Sequence, residues 1–563
     1  MSSTRTLASL RRLERLRTEF GGAAAERKLA ELRWLETRPV VGARAVRRLH
    51  EVLCFLRAYP DDERVLSQVT RMLTGFARRG DLRRNAVALA DTGIAGTALC
   101  YPYFADTAAW LARRFPRELR VDWELVDDDL EQRLFDRLDP LVLYCETPGL
   151  DEVELSIRQW VARLKRPDEG DGAFLARSFA AVGAEPFLRE SYYDELGLPL
   201  ELVPGSGTPT RTLAHAGFLG RPVVFQRGPL RHGRPELRAA LRRRPRVQAL
   251  SPRQGARMIE LAREAMVTRS RDLDVFVYGD PRDVRLLECG DGLAFAAIGF
   301  QAERRLPFEA VYGFLTLKNG VPIGYVLNSA LLGSAEIAYN VFETFRGGEA
   351  AHVYGWVLAC VRHLFAVDSF TIYPYQLGHE NEEGLASGAW WFYQRLGFRA
   401  RDLGVLALMR RELARQRRNA GHRSTRATLQ KLAAHNVYYT LGRERGDVIG
   451  SVPLAGISLA ATDYLARRFG SDRAGGERAC AREAARRLGL RSFSGWTRDE
   501  RRAWLHFGPV LMLLDELERW SLAEKRATIA VIRAKGGRRE SDYVRLFDAH
   551  AKLRAALMRH ARH

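Results

Sequence analysis

Long apolar runs are missing from this chain of 563 residues. No stretch of about 18 apolar residues occurs, so we expect no membrane-spanning helix. The N-terminus also lacks the apolar core of a secretory signal. The six cysteines are widely separated, without a CxxC pair and without a histidine pair at ligand spacing. We therefore expect no metal site, no dense disulfide framework and a cytoplasmic location.

Lysine is scarce as well, and almost every basic residue is arginine. The net charge is +21, from 89 basic and 68 acidic residues. Such a charge favours anionic partners: nucleic acid, a membrane surface or phosphorylated cofactors. Arginine in place of lysine, together with abundant alanine and glycine, is also typical of a GC-rich bacterial genome. The basicity therefore has a functional and a compositional interpretation, and both stay open.

Common catalytic motifs are absent too. The chain has no GxxxxGK[ST], no GxGxxG after a strand, no HExxH and no GxSxG. These absences argue against P-loop nucleotidases, dinucleotide-dependent oxidoreductases, zinc proteases of that type and serine hydrolases. The Arg-rich stretches also lack the interleaved aromatic residues of an RNA-binding platform.

The length and the hydrophobic patterns predict a multidomain protein of four regions. Residues 1–135 show helical spacing of leucines, and residues 136–250 look like a mixed α/β segment. Residues 251–412 alternate strands and helices, and residues 413–563 return to a basic, helical pattern. The predicted fold class is α/β (α+β): a mixed, mostly antiparallel sheet with flanking helices, plus helical N- and C-terminal domains.

The segment 136–250 carries two short apolar runs, 141–145 and 222–226, that predict strands. Residues 227–246 are densely basic. A solvated basic helix and a phosphate-contacting surface are the two interpretations of this run.

The segment 251–412 has the clearest local signals. Ser251 and Gln254 form a capping box, and the pair Asn319 and Gly320 predicts a hairpin. The further expected elements are a strand at 335–342, a helix at 350–365, a strand at 370–376, a helix at 385–396 and a closing strand at 403–409.

A short turn at Arg346, Gly347 and Gly348 joins the strand 335–342 to the helix that follows it. The N-terminus of such a helix presents free backbone N–H groups and the positive end of the helix dipole. A phosphate group fits this arrangement.

The segment 251–412 resembles the GNAT family of acyl-CoA-dependent N-acyltransferases in its order of elements and in this turn. The family's turn reads Arg or Gln, two residues, Gly, one residue, then Gly or Ala. Arg346 and Ala351 match its ends, and Gly347 and Gly348 fill the variable positions. Glu349 stands where the first glycine belongs, and its carboxylate would repel a pyrophosphate.

A second similarity follows about forty residues later. Tyr393, the pair Gly397 and Phe398, and Ala389 match a pattern common in the family, whereas Ala386 replaces its asparagine. The resemblance implies that Tyr393 protonates the departing thiolate. The other interpretation is a packing tyrosine with a polar tip.

The resemblance implies transfer of an acyl group from acetyl-CoA or another acyl-CoA to an amine. Val341 and Phe342 would hold the pantetheine, and residues 346–351 the phosphates. Among five candidate bases, we expect Glu343, at the strand end, to deprotonate the amine. The other four are Glu336, His352, His379 and Glu380.

Two alternatives remain. Aminoacyl-tRNA-dependent transferases of the Fem type have a duplicated GNAT fold without the pyrophosphate turn, and the chain is similar to them in its basicity and its altered turn. Residues 231–246 and 410–426 would then contact tRNA, and residues 136–250 would be a degenerate first copy. The third hypothesis is a non-catalytic scaffold that binds protein or nucleic acid. The sequence leaves the oligomeric state open.

Overall fold

The structure is a computed structural model that describes residues 2–561. The predicted fold class is confirmed: a nine-stranded mixed sheet and a three-stranded sheet are combined with helices at both ends of the chain. Contacts divide the chain into two compact units. The first comprises residues up to Pro229 with Arg257–Val277 and Lys318–Pro322, and the second comprises the remainder. The four regions expected from the sequence do not coincide with these units.

The first part of the chain contains eleven helices and three strands. These are α1 (Ser2–Leu16), α2 (Gly22–Glu36), α3 (Ala43–Ala58), α4 (Glu63–Thr74), α5 (Gly80–Arg84), β1 (Leu99–Tyr101), α6 (Ala105–Arg114), β2 (Leu119–Val121), α7 (Asp128–Asp136), α8 (Thr147–Glu152), α9 (Ile157–Leu164), α10 (Asp171–Ala181), α11 (Pro186–Asp194) and β3 (Leu200–Leu202).

Helices α1 to α4 pack against each other through their leucine faces. A buried ion pair lies among them, with Lys28 Nζ 2.8 Å from Asp61 Oδ2. Neither charge is exposed to water, so removing one partner would leave the other buried and uncompensated. This pair fixes how α2 meets the turn that precedes α4.

The three-stranded sheet has the order β1-β3-β2 and is antiparallel. Strands β1 and β2 were not expected in residues 1–135. Conversely, the strands predicted at 141–145 and 222–226 are wrong, because 141–145 lies in 3-10 turns and 222–226 has no regular structure. Short apolar runs do not distinguish a strand from other buried backbone.

The rest of the chain contains the large sheet and further helices, of which α14 and most of α13 belong to the first unit. The elements up to the last strand are α12 (Leu237–Ala240), β4 (Arg246–Ala249), α13 (Pro252–Val267), α14 (Asp274–Val277), β5 (Gly279–Gly290), β6 (Leu293–Phe300), β7 (Ala310–Lys318), β8 (Val321–Leu331), β9 (Ser334–Val341), α15 (Ala350–Phe365), β10 (Ser369–Ile372), α16 (Pro374–Leu377), α17 (Glu382–Ser387), α18 (Ala389–Leu396), β11 (Arg399–Ala400), α19 (Leu403–Arg418), α20 (Arg426–Ala433) and β12 (Val437–Thr440).

The sheet order is β11-β12-β10-β9-β8-β7-β6-β5-β4, and β9 and β10 pair in parallel. Since β3 and β4 belong to different sheets, residues 136–250 do not form a sheet of their own. The predicted hairpin is confirmed between β7 and β8: Asn319 and Gly320 have φ of 48° and 76°. Both residues of this two-residue turn thus adopt the positive φ that asparagine and glycine tolerate.

The closing strand predicted at 403–409 is wrong, because these residues begin α19. Asp402 caps the helix by accepting a hydrogen bond from the Val405 N–H at 2.8 Å. The buried residues Val405, Met409 and Glu412 recur every three or four positions, which is a helical spacing. The sheet is instead closed by β12, which lies between β10 and the short strand β11.

The elements predicted at 370–376 and 385–396 have different boundaries. Strand β10 ends at Ile372, and Pro374, which has no N–H to donate, begins α16. The single predicted helix is two helices, α17 and α18, separated by Gly388 with φ of 66°. The early end of β10 shapes the site described below.

The basic run 227–246 is not a helix over most of its length. Only the four residues of α12 are helical, and the segment beyond them enters the edge strand β4. Pro235 lies close to Gly355 of α15, where an added Cβ would be 3.2 Å from Pro235 Cγ. The segment therefore follows α15, and most of its arginines are exposed.

The C-terminal region is helical, as predicted. It comprises α21 (Ala455–Phe469), α22 (Arg473–Leu488), α23 (Arg498–Leu511), α24 (Leu522–Lys535), α25 (Glu540–Ala549) and α26 (Ala551–Ala561). The capping boxes at Thr497 with Glu500 and at Ser521 with Glu524 are confirmed. No helix among residues 2–561 combines the length and apolar character that a membrane crossing requires.

Candidate functional site

Strands β9 and β10 pair over only part of their length. The register joins Ser334 to Ser369 and Glu336 to Thr371, and β10 then ends at Ile372. Strand β9 continues to Val341. In the described part of the chain, the second half of β9 therefore has β8 on one side and no strand on the other.

The backbone of this half-strand is oriented by its pairing with β8. Phe342 donates its N–H to the Ile323 carbonyl at 3.0 Å, and Gly324 lies opposite Val341. Because antiparallel residues alternate in the direction of their backbone groups, Tyr339 and Val341 turn their N–H and C=O away from β8. These groups face the gap that begins where β10 ends.

A cavity of about 350 Å³ occupies this region. Its wall combines aromatic rings, side-chain amides and one ion pair. The lining residues are Tyr339, Asn340, Val341, Arg346, Ala350, Gln376, Asn381, Glu383, Gly384, Ser387, Ala389, Phe392 and Tyr393. A pocket with mainly apolar walls and a few amide groups suits an extended ligand that carries amides.

Asn340 is a lining residue whose side chain has an unsatisfied hydrogen-bond acceptor. Its side-chain oxygen Oδ1 is buried and has no hydrogen-bond partner among the described residues. A buried acceptor without a donor costs free energy, of order 1–3 kcal/mol. A ligand N–H at this position would satisfy it.

An ion pair between one arginine and one glutamate lies at the mouth of the cavity. The Arg346 guanidinium forms an ion pair with Glu383 of α17, and its Nε also approaches the Val341 carbonyl at 3.4 Å. The Arg346 guanidinium, which the sequence predicts as a phosphate contact, is thus already paired with a carboxylate of this chain. An incoming anion would compete with Glu383.

Glu349 occupies the N-cap of α15, but its side chain does not cap that helix. It is buried and accepts a hydrogen bond from the Arg231 backbone N–H at 3.0 Å. The Arg231 guanidinium lies 3.4 Å from His352 Nε2 and 2.9 Å from Asp291 Oδ2. Burial and this guanidinium lower the pKa of His352. A carboxylate therefore stands at the positive end of the helix, where a pyrophosphate would bind.

Tyr393 lies inside the cavity wall, on α18. Its ring meets those of Tyr354, Phe392 and Phe398 edge-on, with centroids 5.2 to 5.7 Å apart. Burial raises the pKa of its hydroxyl. The hydroxyl therefore stays protonated at neutral pH and can donate a hydrogen bond to a ligand in the cavity.

Glu336 supplies the carboxylate of strand β9. It is half-buried at the last residue of β9 that pairs with β10, and Ser329 Oγ donates to its Oε2 at 3.2 Å. Burial, with a contribution from Glu309, raises the pKa of Glu336 to about 7. No basic side chain forms an ion pair with it among the described residues. A carboxylate that titrates near neutrality is suited to general base catalysis.

The structure brings together only part of the predicted site. Val341, Arg346 and Tyr393 line the cavity. Phe342, Gly347, Gly348 and Ala351 lie outside its lining, and Phe342 packs its ring against Tyr325. Glu343 is exposed in a 3-10 turn after β9 and does not line the cavity.

The lining residues that sequence reasoning missed include four with amide or carboxylate side chains: Asn340, Gln376, Asn381 and Glu383. Asn340 was the easiest to find, since it precedes the predicted turn by a few residues. Gln376, Asn381 and Glu383 lie on the short elements after β10 and carry no signal of their own. Among the described residues, no group of His, Cys, Asp and Glu is placed to hold a metal ion.

Comparison of the chain with family models, with curated proteins and with solved structures gives no match.

Proposed function

We propose that this protein is an N-acyltransferase whose thioester donor lies in the cavity beside the open half of β9. The observation that carries the proposal is the early end of β10 beside its parallel neighbour β9, which leaves the second half of β9 open at that cavity. An extended donor with amide groups would add to the open edge of β9 through the backbone of Tyr339 and Val341. Asn340 Oδ1 would accept a further N–H.

In the proposed reaction, the amine nitrogen attacks the thioester carbonyl carbon and the C–S bond breaks. Glu336 takes the proton that the amine nitrogen loses, which its pKa near 7 allows at physiological pH. Tyr393 donates its hydroxyl hydrogen toward the departing sulfur, which stabilises the thiolate as it forms. Glu336, which like Glu343 lies outside the cavity lining, replaces the exposed Glu343 as the base in this scheme because of its raised pKa.

The mouth of the cavity favours the pantetheine portion of acyl-CoA over its diphosphate. Amides and the strand edge suit the two amide groups of pantetheine, whereas Glu383 and Glu349 place carboxylates near the position expected for the phosphates. The diphosphate should therefore add little binding free energy. Acetyl-CoA and S-acetylpantetheine, which lacks the diphosphate, should bind with similar affinity.

The same observation supports a second candidate, transfer of an aminoacyl group from tRNA. Such a donor has no diphosphate, and the exposed arginines of residues 234–246 lie along α15. Binding of tRNA would fall steeply with rising salt, because each phosphate contact releases counterions. Weak binding that does not respond to salt would exclude this candidate.

Calorimetry of the full chain with acetyl-CoA, S-acetylpantetheine and aminoacyl-tRNA tests these alternatives. A cavity-filling variant, Ala389→Phe, should abolish thioester binding, while Ala474→Phe on the exposed surface of α22 should not. Binding that survives Ala389→Phe would contradict the proposed location of the donor.

The third hypothesis, a non-catalytic scaffold, predicts a different pattern. The wild type would bind neither thioester, and Glu349→Gly, which restores the glycine of the family turn, would gain acetyl-CoA binding. That result would identify a donor site lost by substitution.

A further inference from the structure

Helix α19 buries one face and exposes the opposite one. Val405, Met409 and Glu412 point into the protein. At about 100° per residue, these three positions cluster on one side of the helix. The opposite side carries seven exposed residues: Leu403, Ala407, Arg410, Arg411, Ala414, Arg417 and Arg418.

The centre of the exposed face is apolar. Leu403, Ala407 and Ala414 lie within about 40° of each other around the helix axis. Leu403 is 81% exposed, an unusual state for a leucine at the start of a well-capped helix. The two alanines leave room for the backbone of a second helix to approach closely. We call these three residues the α19 seam.

Arginines flank the α19 seam on both sides. Arg410 and Arg417 form one row, and Arg411 and Arg418 form the other. Within each row the two residues are seven positions apart, which is about 10.5 Å along a helix. None of the four guanidinium groups has an ion pair with another residue in the described part of the chain. The nearest arginine that does, Arg415, pairs with the buried Glu412 at 2.8 Å.

We propose that the exposed face of α19 docks an acidic amphipathic helix of a partner protein. An apolar seam between two rows of like charge is the pattern by which one helix selects another of opposite flanking charge. Glutamates or aspartates at the edges of the partner helix would meet the two arginine rows, and small or branched apolar residues would fill the seam. A nucleic acid would use the arginines but would leave the seam in contact with a charged backbone.

The docking face is held firmly by buried contacts behind it. The Glu412 carboxylate accepts hydrogen bonds from Ser424 Oγ at 2.6 Å and His422 Nε2 at 3.0 Å. These bonds tie α19 to the loop that leads into α20. Because the face is already ordered, a partner would lose little affinity to ordering it.

The surface also lies on a segment that reaches the candidate site. Helix α20 packs against α17 and α18, whose residues line the cavity. Arg426 of α20 pairs with Glu382 of α17, and Trp391 Nε1 of α18 donates to Ser424 Oγ at 3.1 Å. A partner bound to α19 would thus contact a segment that is hydrogen-bonded to the helices of the cavity wall. The docking itself does not depend on the proposed acyl transfer.

A labelled peptide of three heptads tests the proposal, with leucine and alanine at its seam positions and glutamate at its flanking positions. We expect fluorescence anisotropy with the full chain to give micromolar binding that weakens at least tenfold between about 0.1 M and about 0.5 M salt. A peptide with glutamine in place of each glutamate should bind at least tenfold more weakly.

Two variants of the protein separate the seam from the charges. Arg410→Glu with Arg411→Glu reverses one charge in each row and should weaken peptide binding at least tenfold. Ala407→Trp obstructs the seam without a change of charge and should have an effect of the same order. Arg478→Glu with Arg482→Glu, a matched double reversal at two exposed positions of α22, should leave binding unchanged. Circular dichroism establishes that each variant is folded.

Three results would overturn the proposal. They are equal binding of the glutamate and glutamine peptides, binding that survives both α19 variants, and tighter binding of a double-stranded RNA that Arg410→Glu with Arg411→Glu abolishes and Ala407→Trp leaves intact. The last result would assign the face to RNA. A failure of acyl transfer would affect none of these measurements.

Discussion

The cavity mouth and the exposed face of α19 differ in whether their arginine side chains form ion pairs within the protein. At the mouth, the Arg346 guanidinium is paired with Glu383. Near the start of α15, outside the cavity lining, the Arg231 guanidinium lies 2.9 Å from Asp291 Oδ2. On α19, four arginines are exposed and have no carboxylate partner among the residues that the structure describes. The two regions lie in different parts of the sequence, and of the two only the second has arginine side chains without an internal carboxylate partner among the described residues.

This contrast shows that a net charge of +21 does not by itself identify an anion-binding site. An ion pair satisfies a guanidinium locally, and an incoming anion must then displace the carboxylate. An unpaired arginine on a helix attracts an anion at no such cost. The distribution of carboxylates around the arginines therefore decides which surface binds.

The largest expected effect concerns Glu336, a partly buried carboxylate that has no basic partner within residues 2–561. Glu336→Gln should lower kcat/KM for acyl transfer at least about 100-fold, the usual contribution of a general base. In the wild type, kcat/KM should rise tenfold per pH unit below about 7 and level off above it, since only the deprotonated carboxylate accepts a proton. The variant should lose this inflection in a pH–rate profile.

The matched control is Glu343→Gln, which should change the rate less than threefold, a difference below 1 kcal/mol.

The stability of the folded protein gives an independent check of the raised pKa of Glu336. The pKa of Glu336 is raised in the folded state, so its stabilising effect is complete below its ordinary pKa and is lost as the pH rises through about 7. Glu336→Gln should therefore be more stable than the wild type at about pH 8, by at most about 3 kcal/mol. Equal melting curves would refute the raised pKa.

The next effect sharpens the contrast within α19 itself. Glu412→Ala leaves the donors of Ser424, His422 and Arg415 without their shared acceptor, and should cost about 2 kcal/mol in the free energy of unfolding. Arg417→Ala, on the solvent side, should cost less than about 0.5 kcal/mol. Denaturant titration of both variants measures the difference.

Acid should reduce the deficit of Glu412→Ala. Burial alone would raise the pKa of Glu412, but hydrogen bonds from Ser424, His422 and Arg415 outweigh it and the pKa is lowered. The stabilisation from this group is present above its ordinary pKa and is lost as the pH falls through the lowered value. A deficit that grows in acid would contradict this account.

Tyr393→Phe should reduce kcat about tenfold while the dissociation constant of the thioester changes less than twofold. The variant keeps the ring that packs against Tyr354 and Phe398 and removes only the hydroxyl. Steady-state kinetics combined with calorimetry separates the two effects. An unchanged kcat would make Tyr393 a packing residue only.

The smallest expected effect tests the balance of charge at the mouth. Glu383→Gln removes the carboxylate partner of Arg346 and should tighten acetyl-CoA binding about threefold to tenfold, without an effect on S-acetylpantetheine. Glu382→Gln, one residue earlier and paired with Arg426, is the matched control and should leave both affinities unchanged. Equal gains for both donors would show that Glu383 acts sterically, not through Arg346.

Elements with strong local signals were predictable from the sequence. The hairpin at Asn319 and Gly320, the capped helix α13 and the helix after Arg346 all follow from the preferences of adjacent residues. The stretch 403–409 was not predictable as a helix, because an apolar run of seven residues fits a strand and a helix equally well. Its identity became clear only from which side chains are buried.

Half of the candidate site was equally hidden. Arg346 and Tyr393 were identifiable because each belongs to a short pattern. Asn381 and Glu383 reach the cavity through a turn of the chain after β10, and their sequence neighbourhood resembles any polar loop. The sequence could not single out Glu336 among the candidate bases. Its burial and its position at the end of the pairing between β9 and β10 are visible only in the structure.

The sequence by itself determined the fold class, the turn before α15 and the surplus of arginine, since these depend on composition and on residues within a few positions of each other. Only the tertiary structure decided where β10 ends beside β9, that Glu383 neutralises Arg346, and that Glu336 titrates near pH 7. Those properties arise from contacts between residues far apart in the chain, where burial and neighbouring charges set the energy of each ionised group.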